Sequence, residues 1–272
     1  TLVSFSACAV AARAVGNRQV PVPGWLTEVD VVISLPKLKT HALTVLTCAM
    51  KNTYGMICGG AKAMYHANFP SPRSMSSFLL DVYAALKPDL VIVDGVIGME
   101  GEGPANGKAR GVGVIVAGRD GCAVDLICAG LIGIKAEDVP MLREAGTRGW
   151  PGARLENVLV TGPAGDALSP VRFKTSIGRL LQRIPEPLFK LATRLLACRP
   201  GIDAETCIKC GVCARICSQK AIRLDRKKDR YVVDSARCIL CMCCAESCPH
   251  HAIYVRSPLR LYRAMRRLAR RV

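Results

Sequence analysis

Eight cysteines carry the chemistry legible in this sequence. They read Cys207-x2-Cys210-x2-Cys213-x3-Cys217 and then Cys238-x2-Cys241-x2-Cys244-x3-Cys248-Pro249. The whole phrase repeats with a shift of 31 residues, including the Ala221-Ile222 and Ala252-Ile253 pairs that follow it. A cubane [4Fe–4S] cluster needs one thiolate per iron, and three cysteines spaced by two residues wrap three corners of a cube from one tight loop. A zinc ribbon would use two C-x2-C pairs rather than two triplets with a trailing fourth cysteine. A disulfide framework would need an oxidising compartment and a small secreted scaffold, which the rest of the chain does not look like.

The spacing resembles that of bacterial-type two-cluster ferredoxins, in which the fourth ligand of each cluster comes from the other repeat. That resemblance implies two [4Fe–4S] clusters with crossed ligation. Cys207, Cys210, Cys213 and Cys248 would hold one, and Cys238, Cys241, Cys244 and Cys217 the other. Neither half of such a module folds well without metal. Ser218 stands where the first repeat would carry the proline that follows the last ligand, as Pro249 does in the second. Cys243 reads as a small packed residue, and so do Cys8, Cys48, Cys58, Cys122, Cys128 and Cys198.

The elements that must carry this module are bounded by length and charge. At 272 residues the chain holds one medium and one small domain. No apolar run reaches the 18 or so residues needed to span a bilayer. The chain starts at Thr1 with no charged segment ahead of an apolar one, so no signal peptide is expected and the start reads as truncated or processed. The formal charge is +17, unevenly placed: residues 1–170 carry 15 Lys/Arg against 14 Asp/Glu, whereas 171–200 carry 7 against 1 and 255–272 carry 7 against none.

Residues 1–170 alternate short apolar runs with helical periodicity. Strands are expected at 29–35, 90–94, 112–117 and 157–161, and helices at 74–86 and 120–132 with Asp120 as N-cap. This pattern predicts an α/β domain on a mostly parallel sheet covered on both faces, with ligands at the carboxyl ends of strands. Polar residues gather there. Lys37, Lys39, His41, Lys51, Asn52 and Asp94 are the candidate catalytic residues, the cations for a carboxylate or phosphate and Asp94 as metal ligand or base. The bland alternatives stay open: a solvated lysine loop, a hydrogen-bonded histidine, an aspartate capping a turn. The stretch Gly98-Met99-Glu100-Gly101-Glu102-Gly103-Pro104 is neither a dinucleotide fingerprint nor a P-loop.

Several segments resemble the signature of the family called domain of unknown function 362. They are Leu35-Pro-Lys-Leu-Lys-Thr-His41, Lys51-Asn52-Thr-Tyr-Gly55, the run from Lys87 to Gly95, Glu102-Gly-Pro104 with Gly107, and Ala123-Val-Asp125. The resemblance covers roughly residues 20–165. It implies an iron–sulfur protein, since members often carry a two-cluster module, and it names no reaction. Such a domain normally begins further upstream, so part of a sheet edge and pocket is expected to be missing.

The expected organisation is therefore an α/β domain at 1–170, basic amphipathic linker helices at 171–200, a small α+β two-cluster ferredoxin-like domain at 201–256, and a basic amphipathic helix at 257–272 carrying six arginines. These basic helices either pack on the protein's own core, lie on an anionic membrane, or dock an acidic redox partner. Nucleic acid is disfavoured, because aromatics are only 5% of the chain and no recognition motif is present. Two functions compete. In one, an oxidoreductase passes single electrons between the clusters and a small anionic substrate or cofactor in the α/β domain. In the other, a non-enzymatic carrier or assembly factor docks on a membrane or an acidic redox partner. Thiolate-bound clusters and the absent export signal point to the cytoplasm.

Overall fold

A computed structural model describes residues 9–103, 106–162, 171–175, 184–185, 187–188 and 199–256. They fall into two compact units, one holding residues up to 59 and 71–184, the other 60–70 and from 185 onward. The expected basic helices at 257–272 and across most of 171–200 lie outside the described residues. Residues 171–175 group with the first unit.

The first unit starts with a hairpin, β1 (Val10–Val15) on β2 (Arg18–Pro23), whose Val15, Val20 and Val22 are buried. Its main sheet has β3 (Ile33–Ser34), β4 (Lys37–His41), β5 (Val45–Thr47) and the long strands β6 (Leu90–Glu102) and β7 (Asn106–Gly118). Strands β3 and β4 follow one another along β6, both parallel to it, with Ile33 opposite Leu90 and Lys37 opposite Asp94. The two outer pairings, β5 on β4 and β7 on β6, are antiparallel. The α/β class thus holds, with the parallel pairs at the sheet's centre.

Helix formation follows local signals. Ser71 and Ser74 form a capping box ahead of α3 (Pro72–Ala85), whose first position is a proline. Asp120 caps α4 (Gly121–Leu131) as expected, accepting from the Cys122 N–H. Between β5 and α3 come the short α1 (Ala49–Asn52) and α2 (Ala61–Asn68), and α5 (Pro140–Thr147) follows α4. Leu38, Met50, Met75, Leu79, Leu80, Val91, Val93 and Ile132 are all fully buried.

Three expectations fail. Residues 157–161 form no strand: a 3-10 turn at Leu155–Asn157 runs into irregular chain, and Leu159 is 88% exposed, so its β-branched neighbours had no sheet to join. Of 29–35 only Ile33–Ser34 pairs, because β3 meets β6 at two positions. The sheet is also not covered on both faces among the described residues. Ile33, Lys37, Asp94 and Ile115 share one face, and Ile33 and Ile115 are 53% and 69% exposed.

The second unit holds β8 (Arg199–Ile202), α6 (Val212–Ile216), β9 (Ile222–Asp225), β10 (Arg230–Val233), α7 (Cys243–Glu246) and β11 (Ile253–Arg256), together with α2. β8 pairs with β11 and β9 with β10, both antiparallel.

Candidate functional site

The second unit turns the 31-residue sequence repeat into an internal exchange. The Ile202–Ile253 pair of one ribbon corresponds, after the shift, to the Val233–Ile222 pair of the other. Each ribbon therefore joins the strand before one cysteine run to the strand after the other, which carries the trailing cysteine of each run to the partner's triplet. The loops repeat as well. The Cys207 N–H donates to the Asp203 carbonyl at 3.1 Å, and Cys238 to Asp234 at 3.0 Å. Left-handed residues recur at matched places, Lys209 with Leu240, Gly211 with Met242, and Lys220 with His251. Side-chain-bearing residues adopt this conformation only where the fold demands it. Here it curls each loop tightly enough to bring three cysteines onto one hollow.

Two hollows result. One is lined by Cys207, Cys210, Cys213 and Cys248 beside Ile202, Val212, Tyr231 and Ile253. The other is lined by Cys217, Cys238, Cys241 and Cys244 beside Ile216, Ile222, Val233 and Ile239. All eight thiols are free of disulfides. Backbone amides reach the trailing sulfurs at equivalent positions: the Ala221 N–H donates to Cys217 Sγ at 3.2 Å and the Ala252 N–H to Cys248 Sγ at 3.3 Å. Burial, then the neighbouring Cys241 and Cys238, push the Cys244 thiol up to about 12, and burial likewise raises Cys213 and Cys238. Four soft donors crowded into an apolar pocket repel one another as thiolates; iron bound by them would relieve that, and the Ala221 and Ala252 amides would steady the sulfurs. Among the described residues no group of three His, Cys, Asp or Glu side chains is arranged to hold a single metal ion. This donor set fits a multi-iron cluster.

Cys243 also borders the second hollow, but its thiol donates to the Cys241 carbonyl at 3.8 Å. Ser218 gains a physical reason. A Cβ built on Gly60 would lie 2.6 Å from the Ser218 Cβ, so the segment leading into α2 presses on the turn after Cys217. A proline ring at 218 would crowd that approach. Nothing in the sequence around Gly60 announces this contact. The amide donors belong to Ala221 and Ala252, whose recurrence four residues after each trailing cysteine is part of the repeat but does not by itself disclose the bonds to sulfur.

The candidates of the first unit are mostly tied into structure. Lys37 Nζ and Asp94 Oδ2 form an ion pair at 2.7 Å across β4 and β6, with both side chains about half exposed. Asp94 Oδ1 also accepts from the Val96 N–H at 3.1 Å, at the bulge of β6. The bond from Lys37, then that from Val96, hold the Asp94 carboxyl below its ordinary value. His41 is buried, and its Nδ1 accepts from the Leu43 and Thr44 N–H groups at 3.0 and 3.2 Å. That bonding makes it the cap of a turn. Asn52 Nδ2 donates to Ser34 Oγ at 2.8 Å. Lys39 and Lys51 are half-buried, on β4 and α1. The glycine-rich stretch is the far end of β6 and its turn: a Cβ on Gly103 would lie 1.9 Å from the Thr40 carbonyl oxygen, and one on Gly98 would meet Phe173 at 2.8 Å. Gly98 and Gly103 serve close packing, whereas Gly101 has open space beside it and a φ of +87°.

Asp125 is a residue whose role the sequence did not disclose. It is buried and accepts from the Ala49 and Met50 N–H groups at 2.6 and 3.1 Å, fastening α1 to α4. Burial, against the lowering effect of those amides, raises its carboxyl to about 7. Cys48, Cys122 and Cys128 are buried nearby in sequence register, as packed thiols should be.

An α/β unit joined to a repeated cysteine module suited to [4Fe–4S] binding defines the class, an iron–sulfur protein with an electron-transfer role. Comparison with known proteins agrees. Residues 4–130 match the family described as domain of unknown function (DUF362), and residues 206–252 match the 4Fe-4S dicluster domain. A thylakoid-associated protein of Synechocystis sp. is 34% identical over 116 residues, 42% of this chain. The match spans 36% of that protein's own length. No solved structure matches the chain. No helix among the described residues is long and apolar enough to cross a membrane.

Proposed function

We propose that the protein is a one-electron carrier holding two [4Fe–4S] clusters, with Cys207, Cys210, Cys213 and Cys248 around one and Cys238, Cys241, Cys244 and Cys217 around the other. Each cluster supplies a reversible one-electron couple. The chain's own residues shape the environment: Ile202, Ile222, Val233 and Ile253 keep the hollows apolar, and the Ala221 and Ala252 amides donate to sulfur. The observation that carries the reading is the sorting of eight thiols outside any disulfide into two foursomes with exchanged fourth members. It is tested by Cys217→Ala and Cys248→Ala in protein prepared without oxygen. Each variant should lose about half the iron, and each should spare the spectrum of the other cluster. Equal damage to both clusters in either variant contradicts the crossed assignment.

The oxidoreductase reading gains less support, since Lys37 and Asp94 neutralise each other, His41 caps a turn and Asn52 bonds Ser34. Lys37→Ala and Asp94→Ala test it: turnover lost with both clusters intact would restore a substrate site in the α/β unit. Peripheral attachment to an anionic membrane through the arginines of 257–272 is a further reading. It is favoured by likeness to a protein named for its association with thylakoids. Flotation with anionic vesicles, lost on deleting 257–272, checks it.

A further inference from the structure

The internal repeat makes the two cluster sites near-equivalents, and a cationic cavity lies beside one of them. Beside Cys207 a cavity of about 380 Å3 opens, lined by Ile202, Cys207, Lys209, Lys228, Arg230 and Tyr231 among others. Lys209, Lys228 and Arg230 are exposed, whereas Ile202 and Tyr231 form a half-buried apolar floor. Asp229, also at the rim, pairs with Lys209. The cations extend past the cavity, because the turn between β9 and β10 adds Arg226 and Lys227. In the second repeat Leu240 takes the place of Lys209.

We propose that this cationic cavity is the docking port for an acidic redox-partner protein, which inserts a carboxylate-bearing side chain between Lys209, Lys228 and Arg230. The proposal rests on the two-cluster reading above and assigns exchange with the partner to the Cys207 side. Three features support it. The wall contains Cys207, which places the docked partner beside a ligand of one cluster and not the other. The cations outnumber the single aspartate, and unpaired charge at a rim steers an oppositely charged partner in a salt-dependent way. The site is concave with an apolar floor, a shape that a protruding protein side chain fills and a flat lipid surface does not. The exchange is balanced: the reduced partner loses one electron, this protein gains one, and no bond forms or breaks.

The test is binding of a strongly acidic ferredoxin, used as probe, to the iron-loaded full chain at several salt concentrations. Lys228→Glu/Arg230→Glu should weaken binding at least about tenfold at low salt and flatten the salt dependence. Arg237→Glu, near Cys238, is the matched control and should change binding less than about twofold. Iron content is measured on the same samples. Full iron with unchanged binding in the double variant overturns the port alone, whereas wild-type protein without iron overturns the two-cluster reading. An equal loss in the Arg237 control shows general charge attraction and also overturns the port. So does a double variant that keeps the ferredoxin but loses anionic vesicles or free succinate, because the cavity would then serve a lipid or a small acid.

Discussion

The cysteine unit and the α/β unit were both marked by polar residues in suggestive patterns, yet the structure treats them differently. In the cysteine unit the marked residues stay free of disulfides and face two common hollows. In the α/β unit they bond one another or the backbone: Lys37 with Asp94, Asn52 with Ser34, and His41 with the turn it caps. The contrast teaches that spacing identifies a site when the chemistry dictates the spacing. Three thiolate corners of a cube reached from one tight loop favour the x2-x2 spacing. A lysine or aspartate at a strand end obeys no such rule, and the fold is free to spend it on its own cohesion.

The strongest way to break this contrast is to remove the iron. Chelation under reducing conditions should abolish ordered structure in residues 199–256, because the hollows have no other filling. The α/β unit should keep its melting transition. Trp25 and Trp150 are the chain's two tryptophans and both lie in the first unit, so their fluorescence reports on it alone. Loss of that tryptophan transition on chelation would show that the units depend on one metal-built core.

A second test concerns Asp125. Its unfolded carboxyl titrates near 3.8 and its folded one near 7. Between these values the folded state binds more protons, so this group's contribution to stability falls as pH rises from about 4 to 7, by up to about 4 kcal/mol. Asp125→Asn should flatten the tryptophan-monitored stability across that window. A slope unchanged in the variant would remove Asp125 from the account.

Gly103→Ala comes next. The added methyl would fall on the Thr40 carbonyl, and the cost should be about 3 kcal/mol, read from the denaturant midpoint. The smallest effect belongs to Lys37→Ala. Its ion pair with Asp94 is half exposed, so the melting temperature should scarcely move, and less still in high salt. A large loss there would place Lys37 in a tighter role than a surface pair allows.

The grouping of the eight cysteines around two hollows was legible because the repeat supplies a register that survives without coordinates. The helix expected at 74–86 was legible through the helical spacing of Phe78, Leu79, Val82 and Leu86, although its start at Pro72 was not, and the one expected at 120–132 was legible through its cap Asp120. The strand expected at 157–161 was not, since an apolar run says nothing about whether a neighbour strand exists to pair with it. Asp125 was visible as a motif residue but its use was hidden, because its partners Ala49 and Met50 lie 76 and 75 positions away and contribute only backbone. Gly60 was illegible for the same reason: its meaning is Ser218, 158 residues on.

The most direct measurement is the iron and acid-labile sulfide content of protein purified without oxygen, with an electron paramagnetic resonance spectrum after reduction by dithionite. Two cubane clusters predict about eight irons and eight sulfides per chain and a signal from interacting reduced centres. Protein that carries zinc or no metal, lacks sulfide, and stays silent on reduction would contradict the account.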